Sequence, residues 1–226
     1  MRDRKVIGGL AGLVIAGSVA ALGLTLRGGF GPHFDPRPHE AGGWGMAQQA
    51  VRLLKPGGQV VVIMRDTTVF KNPATDAQFA GFKKVLQAAH VPIEAIHALQ
   101  VDPLRPVGVP PGDFLELIRK TPHASVIVSF MGPPVLTEAQ RKRLGDSKPG
   151  IVAFCSGSMP ETMDLPTLFG QGLLQAAVIT RRTAPANPSL PSGLAARFER
   201  WFTVITAADL TSLPGVPPGP QGTASP

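Results

Sequence analysis

Three short groups of residues in this chain have side chains and spacings suited to chemistry. Arg65-Asp66 closes the apolar run Gln59–Met64, Cys155-Ser156 closes Gly150–Phe154, and Arg181-Arg182 closes Ala176–Thr180. Each is a polar or ionic pair at the C-terminal end of a run that reads as a buried strand. In an open α/β sheet that edge is where ligands bind. Two arginines after the run Ala176–Thr180, together with Arg65, can face an acidic ligand across the edge, because guanidinium groups make charge-assisted hydrogen bonds to carboxylates and phosphates. Solvation of strand-end arginines is the competing reading.

Ala153-Phe154-Cys155-Ser156-Gly157 also has the layout of a nucleophile elbow. A cysteine nucleophile needs a base that forms the thiolate. No histidine follows His123 in the chain, so the base would have to be His90, His97 or His123. A structural cysteine at a strand end is the simpler reading. Cys155 is the only cysteine, which excludes an intrachain disulfide and a cysteine-based metal cluster. His33, Asp35, His39 and Glu40 are close together, but their spacing fits no standard metal motif. No Walker loop, GxGxxG, HExxH or GxSxG occurs, so no cofactor is expected.

The elements that must position these groups follow from hydrophobic periodicity. Leu53–Asp66, LLKPGGQVVVIMRD, reads as a helix end, a Pro-Gly-Gly stop and a strand buried on both faces. The same pattern recurs. Helices are expected at Met46–Leu54, Ala74–Ala89, Pro111–Thr121, Thr137–Leu144 (with Thr137 as N-cap), Leu165–Gln175 and Asn187–Trp201. Strands are expected at Gln59–Met64, Pro92–Leu99, Ala124–Phe130, Gly150–Phe154 and Ala176–Thr180, with Phe202–Thr206 as a candidate last strand. Alternating helix and strand implies an α/β fold, a single three-layer αβα sandwich with a five-stranded, mainly parallel sheet.

The ends of the chain are different. Val6–Leu26 runs 21 residues without a charge after the basic start MRDRK. That length spans a bilayer as one transmembrane helix, and the charge bias puts the N-terminus in the cytoplasm. Residues 1–27 are therefore expected to be a signal anchor rather than a cleaved signal peptide. The α/β domain, 46–213, would then lie in the periplasm of a bacterial inner membrane. Gly8, Gly12, Ala16 and Ala20 recur every fourth residue, a strip along which another transmembrane helix can pack. Residues 28–45 read as a Gly/Pro-rich linker, and 214–226 as a disordered Pro/Gly-rich tail. The net charge of +7 is spread over short basic pairs and triplets without interleaved aromatics, and there is no tyrosine. Nucleic acid is not the expected partner.

The order of pieces resembles a known family. A Lys-Pro-Gly-Gly turn is followed by VVVI, the helix ATDAQFAGFKKVLQAA and, two units later, GIVAF. LFGQGLLQAAVITRR and FTVITAADLTSLP come last. This resembles the C-terminal lobe of type I periplasmic sugar-binding proteins and LacI-type repressor ligand domains, over roughly residues 46–213. The resemblance implies a solute-binding lobe without enzymatic activity. It also places Gln78 where the family clamps sugar with arginine, and Cys155 where it has an aspartate. The resemblance covers one of the family's two lobes, and a partner chain is expected to supply the second wall. The expected function is a membrane-anchored, extracytoplasmic binding or assembly subunit, in a homodimer or with other transmembrane subunits. Ligand contacts are expected from Arg65, Asp66, Gln78, Cys155, Ser156, Arg181 and Arg182. The alternatives are a receptor for a small polar, sugar-like solute with a partner-completed cleft, and a Cys155-dependent hydrolase or amidotransferase. The second rests on an A-x-C-x-G turn similar to that of class I glutamine amidotransferase-like proteins.

Overall fold

The computed structural model describes residues 17–19, 21–22, 34–68, 71–101, 108–145, 147–181 and 192–212. The chain divides into two compact units, Met1–Asp35 and Pro36–Pro226. In the first, residues 17–19 and 21–22 are helical. Most of the expected membrane-spanning run lies outside the described residues, and so do Gly8, Gly12, Ala16, Ala20 and the tail 214–226. Among the described residues no helix is long and apolar enough to cross a membrane.

The second unit begins with a helix, α1 (Pro36–Leu53), where a linker was expected up to residue 45. Proline and glycine suggested irregular chain, but their positions suit a helix. Pro36 and Pro38 occupy the first turn, where proline's missing N–H would be unpaired anyway. The glycines lie on the buried side: Gly43 lets α1 approach its neighbour α2 (Pro73–Ala88) at backbone distance, while Gly42 and Gly45 make room for Phe202 and Phe198. A Cβ on Gly43 would overlap the Gln78 carbonyl oxygen, and one on Gly81 would overlap the Glu40 carbonyl oxygen. Close packing offsets the cost of glycine in a helix, about 1 kcal/mol per residue.

The remaining elements follow in alternation: β1 (Val60–Arg65), α2, β2 (Ile93–Leu99), α3 (Pro111–Lys120), β3 (Val126–Ser129), α4 (Glu138–Arg141), β4 (Gly150–Cys155), α5 (Met159–Thr162), α6 (Leu165–Gly170), β5 (Ala176–Thr180), α7 (Leu194–Trp201) and β6 (Phe202–Ile205). A 3-10 helix, Ala207–Ser212, closes the described chain. Gly57, with φ of 76°, makes the turn between α1 and β1 that its sequence predicts. Thr137 caps α4 through a full capping box with Gln140.

The sheet has six strands in the order β2-β1-β3-β4-β5-β6. The first five are mutually parallel, and β6 runs antiparallel to β5. The expected five-stranded sheet is thus corrected to a mixed, six-stranded one. The reason is where the chain enters. Trp201 ends α7 and Phe202 begins β6 with no loop between them. Phe202 pairs with Thr180, the last residue of β5, so β6 has to run back along its neighbour.

Strand residues alternate between two cores. Val60, Val62 and Met64 join Ala47, Phe82, Leu86 and Phe198 beneath α1, α2 and α7. Val61 and Ile63 join Phe114, Ile118, Leu165 and Leu168 beneath α3 and α6. Burial on both faces explains the unbroken apolar run of β1.

Candidate functional site

The chain leaves β1 toward β2 on one side and reaches β3 on the other. That divergence opens a crevice at the C-terminal edge of the sheet. A cleft of about 420 Å³ occupies this edge, on the face covered by α1, α2 and α7. Arg65 enters it from the end of β1 and Ser156 from the end of β4. Asn72, Thr75 and Gln78 enter from the first half of α2. Its apolar wall is Phe130, Phe154, Trp201 and Phe202.

Local structure fixes several of these groups. The Asn72 side-chain oxygen accepts the Thr75 backbone N–H at 3.1 Å and caps α2, which points its N-terminus at the cleft. Phe130 stands edge-on to Phe82, with ring centres 5.4 Å apart, and Phe154 packs on Phe202 at 5.6 Å. The Arg181 N–H donates to the Trp201 carbonyl at 2.8 Å, which holds Trp201 at the junction of α7 and β6.

Two polar groups in this wall lack partners. Gln78 is only 9% exposed, and its side-chain amide makes no hydrogen bond among the described residues. The Trp201 Nε1 is buried and has no acceptor. The Gln78 amide keeps solvent access and is open to a ligand in the cleft, whereas the Trp201 N–H is fully buried and unsatisfied, an uncommon state in native folds. The Arg65 guanidinium also makes no ion pair or hydrogen bond among the described residues.

Of the residues singled out from sequence, Arg65, Gln78 and Ser156 come together here. The others do not line the cleft. Asp66 turns to Thr68, accepting from its N–H at 2.8 Å and its hydroxyl at 2.7 Å, and these bonds hold its carboxyl below the usual carboxylate range. Arg181 donates from Nε to the Phe202 carbonyl at 3.0 Å. Arg182 lies outside the described residues.

Cys155 is fully buried, in the core beneath α3 and α6. Its neighbours Phe154 and Ser156 face the cleft, so the alternation of the strand turns the thiol away. Burial pushes that thiol up to about 12. It is neither a ligand contact nor a thiolate nucleophile at neutral pH, and the elbow reading is corrected accordingly. His39 and Glu40 lie on α1, where Glu40 faces Lys84 at 3.9 Å.

Sequence reasoning missed the aromatic wall. Phe154 was within reach of it: two residues before Ser156 on one strand, it must share that residue's face. Trp201 carried no such signal, because its place depends on the antiparallel return of β6.

No protein-family model matches the chain, and no curated protein matches it in sequence. Among solved structures it is similar to AraP, an arabinose binding protein from Geobacillus stearothermophilus, at 15% identity, with 77% of this chain and 62% of that chain covered and a TM-score of 0.49. It is similar to the periplasmic component of an ABC-type sugar transport system from Hahella chejuensis, at 16% identity, covering 72% and 52% respectively, with a TM-score of 0.43. A putative LacI transcriptional regulator from Bacteroides fragilis is similar at 10% identity, covering 77% and 62%, with a TM-score of 0.47. The chain thus spans between 52% and 62% of the length of these proteins.

Proposed function

We propose that this chain is a non-enzymatic binding subunit whose cleft holds a small polar ligand and whose open side is covered by a second chain. The observation that carries the reading is the Gln78 amide, nine-tenths buried yet unpartnered in the cleft beside Arg65. A ligand that displaces water from this amide has to offer it a hydrogen bond, because leaving it bare in a dry cleft would cost about 1–3 kcal/mol. The burial of Cys155 supports a role without nucleophilic catalysis. On this reading residues 1–27 anchor the chain in a bacterial inner membrane, with the α/β domain in the periplasm. The strip Gly8, Gly12, Ala16 and Ala20 packs against another transmembrane helix, of a second copy or of another subunit.

Two measurements test the two halves of this proposal. Thermal melting of the full chain in lipid nanodiscs against a library of small polar metabolites should show a ligand-dependent rise that Gln78→Leu and Arg65→Gln abolish. No rise with any compound overturns the binding role. Blue-native separation after mild solubilisation should show a complex that Gly8→Leu with Gly12→Leu disrupts; a lone monomer overturns the assembly role.

A further inference from the structure

Granted that the cleft is a binding site, the geometry points to its ligand: a small organic anion, a carboxylate carried on a flat or branched apolar body, rather than a neutral polyol.

The charge of the cleft is one-sided. Arg65 lines it, while no aspartate or glutamate does among the described residues. The two nearest carboxylates in sequence are otherwise engaged: Asp66 with Thr68, and Asp76 with the Thr67 hydroxyl at 3.0 Å. A second positive contribution comes from the backbone. The 16-residue helix α2 presents its first turn, Ala74 and Thr75, to the cleft. The partial positive charge at a helix N-terminus favours an anion there. The Gln78 amide, one turn further along α2, can supply an N–H donor to the same group. An arginine facing a carboxylate makes paired hydrogen bonds between opposite charges, whereas with an alcohol only the donor is charged, so the carboxylate is held more strongly.

The other side of the cleft argues for the apolar body. Phe130, Phe154 and Trp201 form its wall, and Trp201 contributes a single buried N–H. A polyol needs acceptors for many hydroxyl protons, and a carboxylate side chain is the strongest acceptor a protein offers. This cleft has none among the described residues. An apolar ring or branched chain instead gains from leaving water against the aromatic faces.

Isothermal titration of the full chain in nanodiscs separates the possibilities, with benzoate, 4-methylpentanoate, benzamide, acetate and arabinose as probes. Benzoate and 4-methylpentanoate should bind. Benzamide, the neutral isostere of benzoate, should bind roughly tenfold more weakly or worse. Acetate should be weaker again, since it has no apolar body. Arg65→Gln should erase the preference of benzoate over benzamide, and the wild-type comparison of those two ligands stands without any variant. Equal or tighter binding of benzamide or arabinose overturns the anion inference and leaves the binding role intact. Acetate binding as tightly as benzoate overturns the apolar half. Binding of no probe here and of no metabolite in the thermal screen overturns the binding role itself.

Discussion

Gly43 on α1 lies so close to Gln78 on α2 that the Gln78 carbonyl oxygen occupies the place a Gly43 side chain would take. The reciprocal contact, Gly81 against the Glu40 carbonyl, makes the crossing symmetrical. The helix that delivers Gln78, Thr75 and Asn72 to the cleft is thus seated on bare backbone.

Gly43→Ala therefore sets two effects against each other. Helix propensity alone favours alanine by about 1 kcal/mol. Overpacking against a carbonyl that cannot rotate away costs about 1–3 kcal/mol. The second effect wins here, because backbone rather than a flexible side chain is in the way. Urea denaturation should show a net loss of stability, and a gain would mean that the helices are further apart than described.

Cys155 should be inert to thiol reagents in the folded chain and reactive once denatured, as a core thiol with no exposure. Its titration also shapes stability at high pH. Burial raises the folded thiol from its ordinary 9.0 to about 12. Between those values the unfolded chain has lost the proton and the folded chain keeps it, so stability falls as pH rises. The contribution is whole below pH 9 and declines by about 1.4 kcal/mol per pH unit in that window. The difference in stability between wild type and Cys155→Ala should narrow from pH 9 upward. A difference constant to pH 11 would contradict the burial of this thiol.

Gln175 joins two segments through its side chain. Its oxygen accepts the Ile151 N–H at the start of β4, and its amide donates to the Gly172 carbonyl at 2.9 Å. Gln175→Ala should cost about 1–2 kcal/mol, since a half-buried N–H and a carbonyl lose their partners together. Chemical denaturation with an unchanged midpoint would show that water replaces both bonds.

Trp201→Phe should behave in the opposite way. The indole N–H is buried without an acceptor, so its removal relieves an unsatisfied donor at a modest loss of packing. Melting should stay within about 1 kcal/mol of wild type, while affinity for any ligand that uses the N–H falls. A large loss of stability would mean that this N–H has a partner in the native protein.

Much of the layering could be read from the chain. The apolar runs marked β1, β3, β4 and β5 because strands buried on both faces are built mainly from apolar residues, and Ala176–Thr180 matches to the residue. Thr137 was legible as a cap because the box T-x-x-Q is a local arrangement. What could not be read depended on distant partners. The glycines of α1 mimic a linker until their opposing helix is known. Arg181 reads as free in sequence only because its acceptor, the Phe202 carbonyl, is 21 residues away. The site was half legible: Arg65 and Ser156 follow from strand ends, and Gln78 entered through the family resemblance. The strand alternation that separates Phe154 from Cys155 was available and decides between them.

The junction of α7 and β6 has a kinetic meaning. Trp201 stands where a helix becomes a strand, hydrogen-bonded through its carbonyl to Arg181 and followed directly by paired residues. This wall of the cleft is therefore shaped before anything arrives, with little freedom left to surrender on binding. Association on this side should be a single rapid step, and any slow phase would have to come from the proposed second chain over the other side.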